Sequence, residues 1–269
     1  MQSQLFFTLF LIALLFPYST LKAKNELLII LAHPDDETLI AQYLIELDRS
    51  KWEPTIIYLT AGEGGTDRRW EKNQAVLNKR KKLQKTRILE LTRSMKILDI
   101  QKYFVLNVPD LPHRIPTPGY SNPLGKPTTN LELFFKKVEV WKPENVISLL
   151  KKIIHKHKLH STTHVLTMCD CSGITHAHHQ ATNYLVKKLI QHKVFKNLQQ
   201  AWQFGEGKSY PKEMYFMKRS QVLFRRRAKE MTSKDFFKYL QVYQAHQSQG
   251  VSSYTREKLL SFSEKIWEL

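Results

Sequence analysis

Short apolar runs recur along this chain, separated by longer stretches with helical periodicity, and few architectures accommodate that rhythm. Leu27-Leu28-Ile29-Ile30-Leu31 reads as a first strand and Thr55-Ile56-Ile57-Tyr58-Leu59-Thr60 as a second. Tyr103-Phe104-Val105-Leu106 and His164-Val165-Leu166-Thr167-Met168 supply a third and a fourth. Helices are predicted near 38–48, 84–98, 144–157 and 178–192. Strand and helix in alternation predict an α/β, doubly wound fold, a mostly parallel sheet with helices on both faces. From about Gln200 the pattern predicts a late strand or two around Met214-Tyr215-Phe216-Met217, plus helices, within the same domain.

With 42% hydrophobic and 11% aromatic content, 269 residues suffice for a sizeable core, which excludes disordered and fibrous classes. The unbroken apolar run Leu5 to Phe16, followed by Pro17 and by Leu21-Lys22-Ala23, reads as a secretory signal peptide over 1–23 ahead of a single domain over 24–269. The run falls short of the roughly 20 apolar residues of a membrane span, so export is expected; the alternative is an uncleaved N-terminal anchor. Removing the leader takes away only Lys22, and the chain stays strongly basic from a starting net charge of +18. For an exported protein that charge points to an anionic polymer or a membrane surface as partner rather than to nucleic acid. The runs Lys79-Arg80-Lys81-Lys82 and Arg225-Arg226-Arg227 concentrate it, with solvated surface as their plain reading. The two cysteines, Cys169 and Cys171, cannot form a disulfide framework or a four-thiolate zinc site, and read as free thiols.

Ionisable residues gather where strands end. Ala32-His33-Pro34-Asp35-Asp36-Glu37 follows the first strand, where sheets of this class open onto a ligand crevice. Proline and acids are also good helix-start residues, so a purely structural reading competes. A second cluster, Ser172-Gly173-Ile174-Thr175-His176-Ala177-His178-His179, follows the fourth strand. On a helix His176 and His179 share a face, so one can bind a metal while the other lies beside it. Chance is a competitor here too, since eight of the eleven histidines fall between His155 and His192. The glycine-rich loop Ala61-Gly62-Glu63-Gly64-Gly65-Thr66 and the stretch from Pro109 to Pro127 read as loops over an active-site mouth. Glu63-Gly64-Gly65 lacks the spacing and the Lys-Ser/Thr ending of a phosphate loop, and no nucleotide fingerprint is present.

Ala-His-Pro-Asp-Asp-Glu after a first strand, with a later Gly-x-x-His-x-x-His segment, resembles the PIG-L/LmbE-like family of zinc-dependent N-deacetylases. Leu59-Thr60-Ala61-Gly62-Glu63, Arg87-x-x-Glu90, Leu106-x-x-Pro109-Asp110 and His246-Gln247-Ser248-Gln249 follow in the order the resemblance expects. The resemblance implies a Rossmann-like sheet, and Zn2+ held by His33, Asp36 and His179 with one position open. It makes Asp35 the general base for the attacking water, and His176 the group that stabilises the oxyanion and protonates the departing amine. Arg87 matches a position that binds substrate or the oxyanion; a surface salt bridge with Glu90 is the plain alternative. His246 and Gln249 match a late segment near the site, with a substrate or supporting role, against the alternative of a polar helix face. His178 departs from the pattern, which has Asp or Asn between its two histidines, and is set outside the ligands. Asp170 is open between orienting a histidine and capping a turn. The segment from Arg68 to Lys82 is more basic than the family pattern, which leaves the substrate open.

The reaction implied is removal of the N-acetyl group from an N-acetylglucosamine-type sugar, on a lipid, an oligosaccharide or a polymer. A zinc amidohydrolase of another acyl amide, and a non-enzymatic basic protein binding metal or anionic glycans, are the other classes. An acid and a base beside an open coordination position separate an enzyme from a binder.

Overall fold

The first strand lies at the centre of the sheet. In the computed structural model, which describes residues 24–64, 76–110, 131–168, 177–206, 222–227, 231–249 and 263–268, β1 (Asn25–Leu31) pairs in parallel with β2 (Trp52–Tyr58) on one side and β4 (His164–Met168) on the other. The β1–β2 register sets Asn25 opposite Trp52 and Leu31 opposite Tyr58, while Leu27 faces His164 across the β1–β4 pair. β3 (Lys102–Val105) continues the parallel sheet beyond β2, and β5 (Gln200–Glu206) continues it beyond β4. β7 (Ser263–Glu268) runs antiparallel to β5, and β6 (Val222–Arg227) antiparallel to β7, giving the seven-stranded order β3-β2-β1-β4-β5-β7-β6.

Side chains alternate across a strand, so β1 feeds two cores. Leu27, Ile29 and Leu31 pack with Ile40 and Leu44 around α1 (Ala41–Glu46), with Leu91 and Met95 of α2 (Val76–Leu98), and with Tyr239 and Val242 of α6 (Ser233–Ala245). Leu28 and Ile30 face the other way, onto Phe134 of α3 (Leu131–Lys137), Leu150 of α4 (Pro143–Lys156) and Leu185 of α5 (Ala177–Gln191). Helices therefore cover both faces, as the alternating pattern predicts.

Local chemistry sets the helix ends. α4 starts with Pro143 in its first turn, carries Glu144 there and ends with His155 and Lys156, the order that complements the helix dipole. Its buried Val146, Ile147, Leu150 and Ile154 recur at helical spacing. Thr232 caps α6, accepting from the Asp235 N–H at 3.1 Å.

The four predicted strands and the four predicted helices are present, with differences at the edges. The helix expected near 38–48 starts as a 3-10 turn over Asp36–Ile40, and the one expected near 84–98 starts at Val76. Its early turns carry the Lys79–Lys82 run, which has good helix propensity and no apolar periodicity to detect. Exposed Lys81 and Lys82 agree with the solvated reading of that run. β5, β6 and β7 were not predicted: β5 mixes Gln200, Gln203 and Glu206 among its apolar residues, and β6 contains the Arg225–Arg227 run. The strand expected around Met214–Met217, the leader over 1–23, and Cys169, Asp170 and Cys171 lie outside the described residues.

Ile30 is fully buried, so Ile30→Ala is expected to lower unfolding free energy by about 2–5 kcal/mol. Leu89, 61% exposed on α2, is expected to shift it by less than about 0.5 kcal/mol when changed to alanine. Urea titrations of the two variants check the contrast.

Candidate active site

The chain crosses from β1 to β2 and β3 on one side of the sheet, then returns to β4 on the other. Such a reversal opens a crevice between the carboxyl ends of the two central strands. His33 to Glu37 leave the end of β1 into that crevice, and α5 brings His178 and His179 to it a few residues after β4.

The segment after β1 is folded on itself. The His33 N–H donates to Asp36 Oδ2 at 2.7 Å, the Asp35 N–H to Glu37 Oε2 at 3.0 Å, and the Thr38 hydroxyl to the Asp35 carbonyl at 2.6 Å. Asp35 sits at the bend with φ 120° and ψ −20°, a conformation that a residue with a Cβ rarely adopts. His179 Nε2 lies 3.1 Å from Asp36 Oδ1, and His33 Nδ1 lies 3.6 Å from Asp36 Oδ2. His33, Asp36 and His179 thus converge with ligand atoms within 4.8 Å of one another.

A second convergence lies deeper. His33 Nε2 stands 3.0 Å from His178 Nδ1 and 3.6 Å from Asp110 Oδ1, and Asp110 Oδ1 stands 3.3 Å from His178 Nδ1. His178, set outside the ligands by the spacing, is fully buried, and its ring stacks on Trp141 at 4.4 Å and 16°. The Trp141 indole N–H is in turn held by the Pro109 carbonyl at 2.9 Å.

The electrostatics of this cluster favour a cation. Burial opposes a charge on His33, yet the Asp110 and Asp36 carboxylates beside it outweigh that and raise its pKa to about 10. Burial also works against ionised Asp36 and Asp110, but the neighbouring histidines hold both below the usual carboxylate range. Asp35 goes the other way: burial, reinforced by the Asp36 charge, raises it to about 6 against the opposing Arg87, His246 and His33.

Two glycines set the loop after β2. Gly62 has φ 74°, and a Cβ there would stand 2.5 Å from Arg87 Cδ and Nη1. Arg87 is buried, so its pairing with Glu90 on an exposed helix face is excluded, and its Nε has no hydrogen-bond partner among the described residues. At Gly64 a Cβ would fall 2.1 Å from the Asp110 carbonyl oxygen. That close approach lets the Gly64 N–H donate to Asp110 Oδ2 at 3.0 Å, while the Asp110 N–H donates to Glu63 Oε1 at 2.9 Å.

Behind the bend, Glu37 Oε1 pairs with His246 Nε2 at 2.6 Å, both fully buried. Burial disfavours each charge, but the partner's charge dominates, lowering the Glu37 pKa and raising that of His246. On α2, Glu90 accepts from the Ser248 N–H at 2.7 Å and from the Ser248 hydroxyl at 2.5 Å. His246 is thus buried against Glu37 rather than on a polar helix face, a place that agrees with a supporting role.

Of the residues singled out in the sequence, His33, Asp35, Asp36, Arg87, His179 and His246 come together. His176 lies outside the described residues, as does the Gln249 side chain. Glu37, Glu90 and Asp110 stood within recognised motifs without a role, and Trp141 carried no signal beyond its place before Pro143. A charged residue inside an apolar helix face, as at Glu90, is the one cue by which part of this shell was findable.

Comparisons with known proteins agree with this fold. The profile of the PIG-L family, described as GlcNAc-PI de-N-acetylase, matches residues 28–190. None of the curated proteins compared with the chain matches it. Among solved structures, the N,N'-diacetylchitobiose deacetylase of Pyrococcus horikoshii superposes with a TM-score of 0.52 at 17% identity, covering 95% of this chain and 81% of that one. A deacetylase of teicoplanin biosynthesis gives 0.53 at 14% identity, with 90% and 97% covered. The 4-carboxy-2-hydroxymuconate hydratase GalB of Pseudomonas putida KT2440 gives 0.50 at 12% identity, with 91% and 96% covered. At these identities the likeness is one of fold.

Gly64→Ala must push the Asp110 backbone away, and is expected to cost more than about 1 kcal/mol of stability, measured by thermal unfolding. Asp35→Gly relieves the positive φ that Asp35→Ala retains. The glycine variant is expected to be the more stable of the two by about 1 kcal/mol in denaturant titrations, and equal midpoints would refute strain at that bend.

Proposed function

The chain belongs to the PIG-L family of GlcNAc-PI de-N-acetylases, and from that premise we propose that it hydrolyses the N-acetyl group of an N-acetylglucosamine-type sugar with the help of a zinc ion. The observation that carries the reading is the convergence of His33, Asp36 and His179 next to Asp35 at the switch point of the sheet. Two imidazoles and a carboxylate are an ordinary donor set for a catalytic zinc. Zinc held there would polarise the amide carbonyl and acidify the attacking water.

The chain's own residues supply the rest. Asp35 takes a proton from the water as its oxygen bonds to the acetyl carbon. Glu37 fixes the Asp35 backbone through its N–H and is itself fixed by His246, so the base is positioned from behind. Arg87, buried beneath Gly62 with Nε unpartnered, offers a donor to the substrate or to the oxyanion. When the C–N bond breaks, the amine nitrogen must receive a proton, since an amide-like anion is too basic to leave at neutral pH. His176 is assigned that task from the family motif. The products are acetate and a free amine.

The two deacetylases are named for diacetylchitobiose and for teicoplanin biosynthesis, which supports an amino sugar or a glycoconjugate as substrate class. We further assign the enzyme to an exported location, on the strength of the apolar run from Leu5 to Phe16, with an anionic polymer or a membrane surface as its setting, given the net charge of +18.

The test is acetate release from a panel of N-acetylated sugars by the purified protein, with added zinc or with chelator. Chelator-sensitive release that Asp36→Ala abolishes is expected. Asp35→Ala is expected to keep its metal and lose at least about 100-fold in turnover. Metal without acetate from any sugar would favour another acyl amide as substrate, and unchanged turnover of Asp35→Ala would refute the assigned base. On an anionic substrate, activity is expected to fall as salt rises from about 0.01 to 1 M; a flat response argues against electrostatic capture.

A further inference from the structure

The inner convergence brings two imidazole nitrogens and a carboxylate oxygen to one point. His33 Nε2, His178 Nδ1 and Asp110 Oδ1 form a triangle with edges of 3.0, 3.3 and 3.6 Å. A tetrahedral ion with bonds of about 2.0–2.1 Å has its ligands about 3.3–3.4 Å apart, so this triangle closes on one ion with adjustments of a few tenths of an ångström. All three residues are buried, at 5%, 0% and 2% exposure. Asp110 Oδ1 has no hydrogen-bond partner among the described residues, while Oδ2 is occupied by the Gly64 N–H. Burying a carboxylate oxygen without a hydrogen bond is costly, and a cation among these three atoms offsets that cost.

The donors are also held in place. Trp141 stacks on the His178 ring and is anchored to the Pro109 carbonyl, while Gly64 and Glu63 grip Asp110 from both sides. Rigid neighbours of this kind are what a preorganised metal site requires.

We infer that His33, Asp110 and His178 form a second, inner site for a divalent cation of the zinc class, sharing His33 with the outer site of His33, Asp36 and His179. A neutral imidazole has one bare nitrogen and one N–H. A cation bound at Nε2 leaves the N–H on Nδ1, facing Asp36 Oδ2 at 3.6 Å. One neutral His33 thus serves one site at a time, and the chain has two berths for a single ion. This inference deepens the metal reading by sharing His33 with it, yet rests on its own three distances and is read out by metal content rather than acetate.

The experiment loads the full-length protein with zinc, and separately with cobalt, removes free metal, and measures bound metal per chain together with the cobalt absorption spectrum. His179→Ala breaks the outer site; His178→Phe, which keeps a ring on Trp141, and Asp110→Asn each break the inner one. Far-ultraviolet circular dichroism and thermal unfolding verify that each variant is folded. Expected are about one ion in the parent and in each single variant, with different cobalt spectra for His179→Ala and His178→Phe, and loss of metal in folded His178→Phe/His179→Ala and Asp110→Asn/His179→Ala. A folded His179→Ala without metal overturns the inner site and leaves the outer one standing. Metal retained by His179→Ala but lost from His178→Phe and Asp110→Asn supports the inner site and removes the outer reading. Metal retained by both double variants, or absent from the parent, overturns the proposal.

Discussion

Parallel pairing of β1 with β2 on one side and β4 on the other is the constraint on which the rest depends. Parallel neighbours end at the same edge of the sheet, so whatever follows β1 and β4 must meet there. The pairing also explains the double core, because a strand buried on both faces needs helices on both faces. The residues between Ala32 and Glu37 are thereby brought opposite the first turn of α5, although more than 140 residues separate His33 from His178 and His179 in sequence.

That edge is crowded with carboxylates: Asp36, Glu37, Glu90 and Asp110 are all buried, and Asp35 nearly so. Such a concentration of like charge is tolerated only when each group is hydrogen-bonded or paired. Glu37 has His246 and the Asp35 N–H, Glu90 has Ser248, and Asp110 has the Gly64 N–H for one oxygen. Asp36 and the second oxygen of Asp110 look instead towards histidines, the arrangement of a site that expects a cation. The backbone accepts a positive φ at Asp35 within the same few residues, so strain and charge are concentrated where chemistry is expected.

A hydratase and two deacetylases share this fold with the chain, so the sheet by itself does not select a reaction. Selection rests on side chains at the strand ends. In this chain His178 stands between His176 and His179, where the related pattern carries a short acid or amide, and its ring adds a nitrogen donor next to His33 that such a residue would not supply. The change is local: one ring is set against His33.

The sequence by itself determined the strands from Leu27 to Met168, the helices between them other than Leu131–Lys137, and the motif residues His33, Asp35, Asp36 and His179, because apolar periodicity and close spacing are local properties. It did not reveal β5 to β7, whose alternation is interrupted by glutamines, glutamates and arginines. Nor did it reveal that Glu37 serves His246, that Glu90 grips Ser248, or that Asp110 and His178 close on His33. Those contacts join residues 77 to 209 positions apart, and exist only once the sheet has set its strand ends side by side. Tertiary structure decided which charges are buried and which partner each one has, because burial and pairing depend on what the rest of the chain places around a residue and not on its neighbours in sequence.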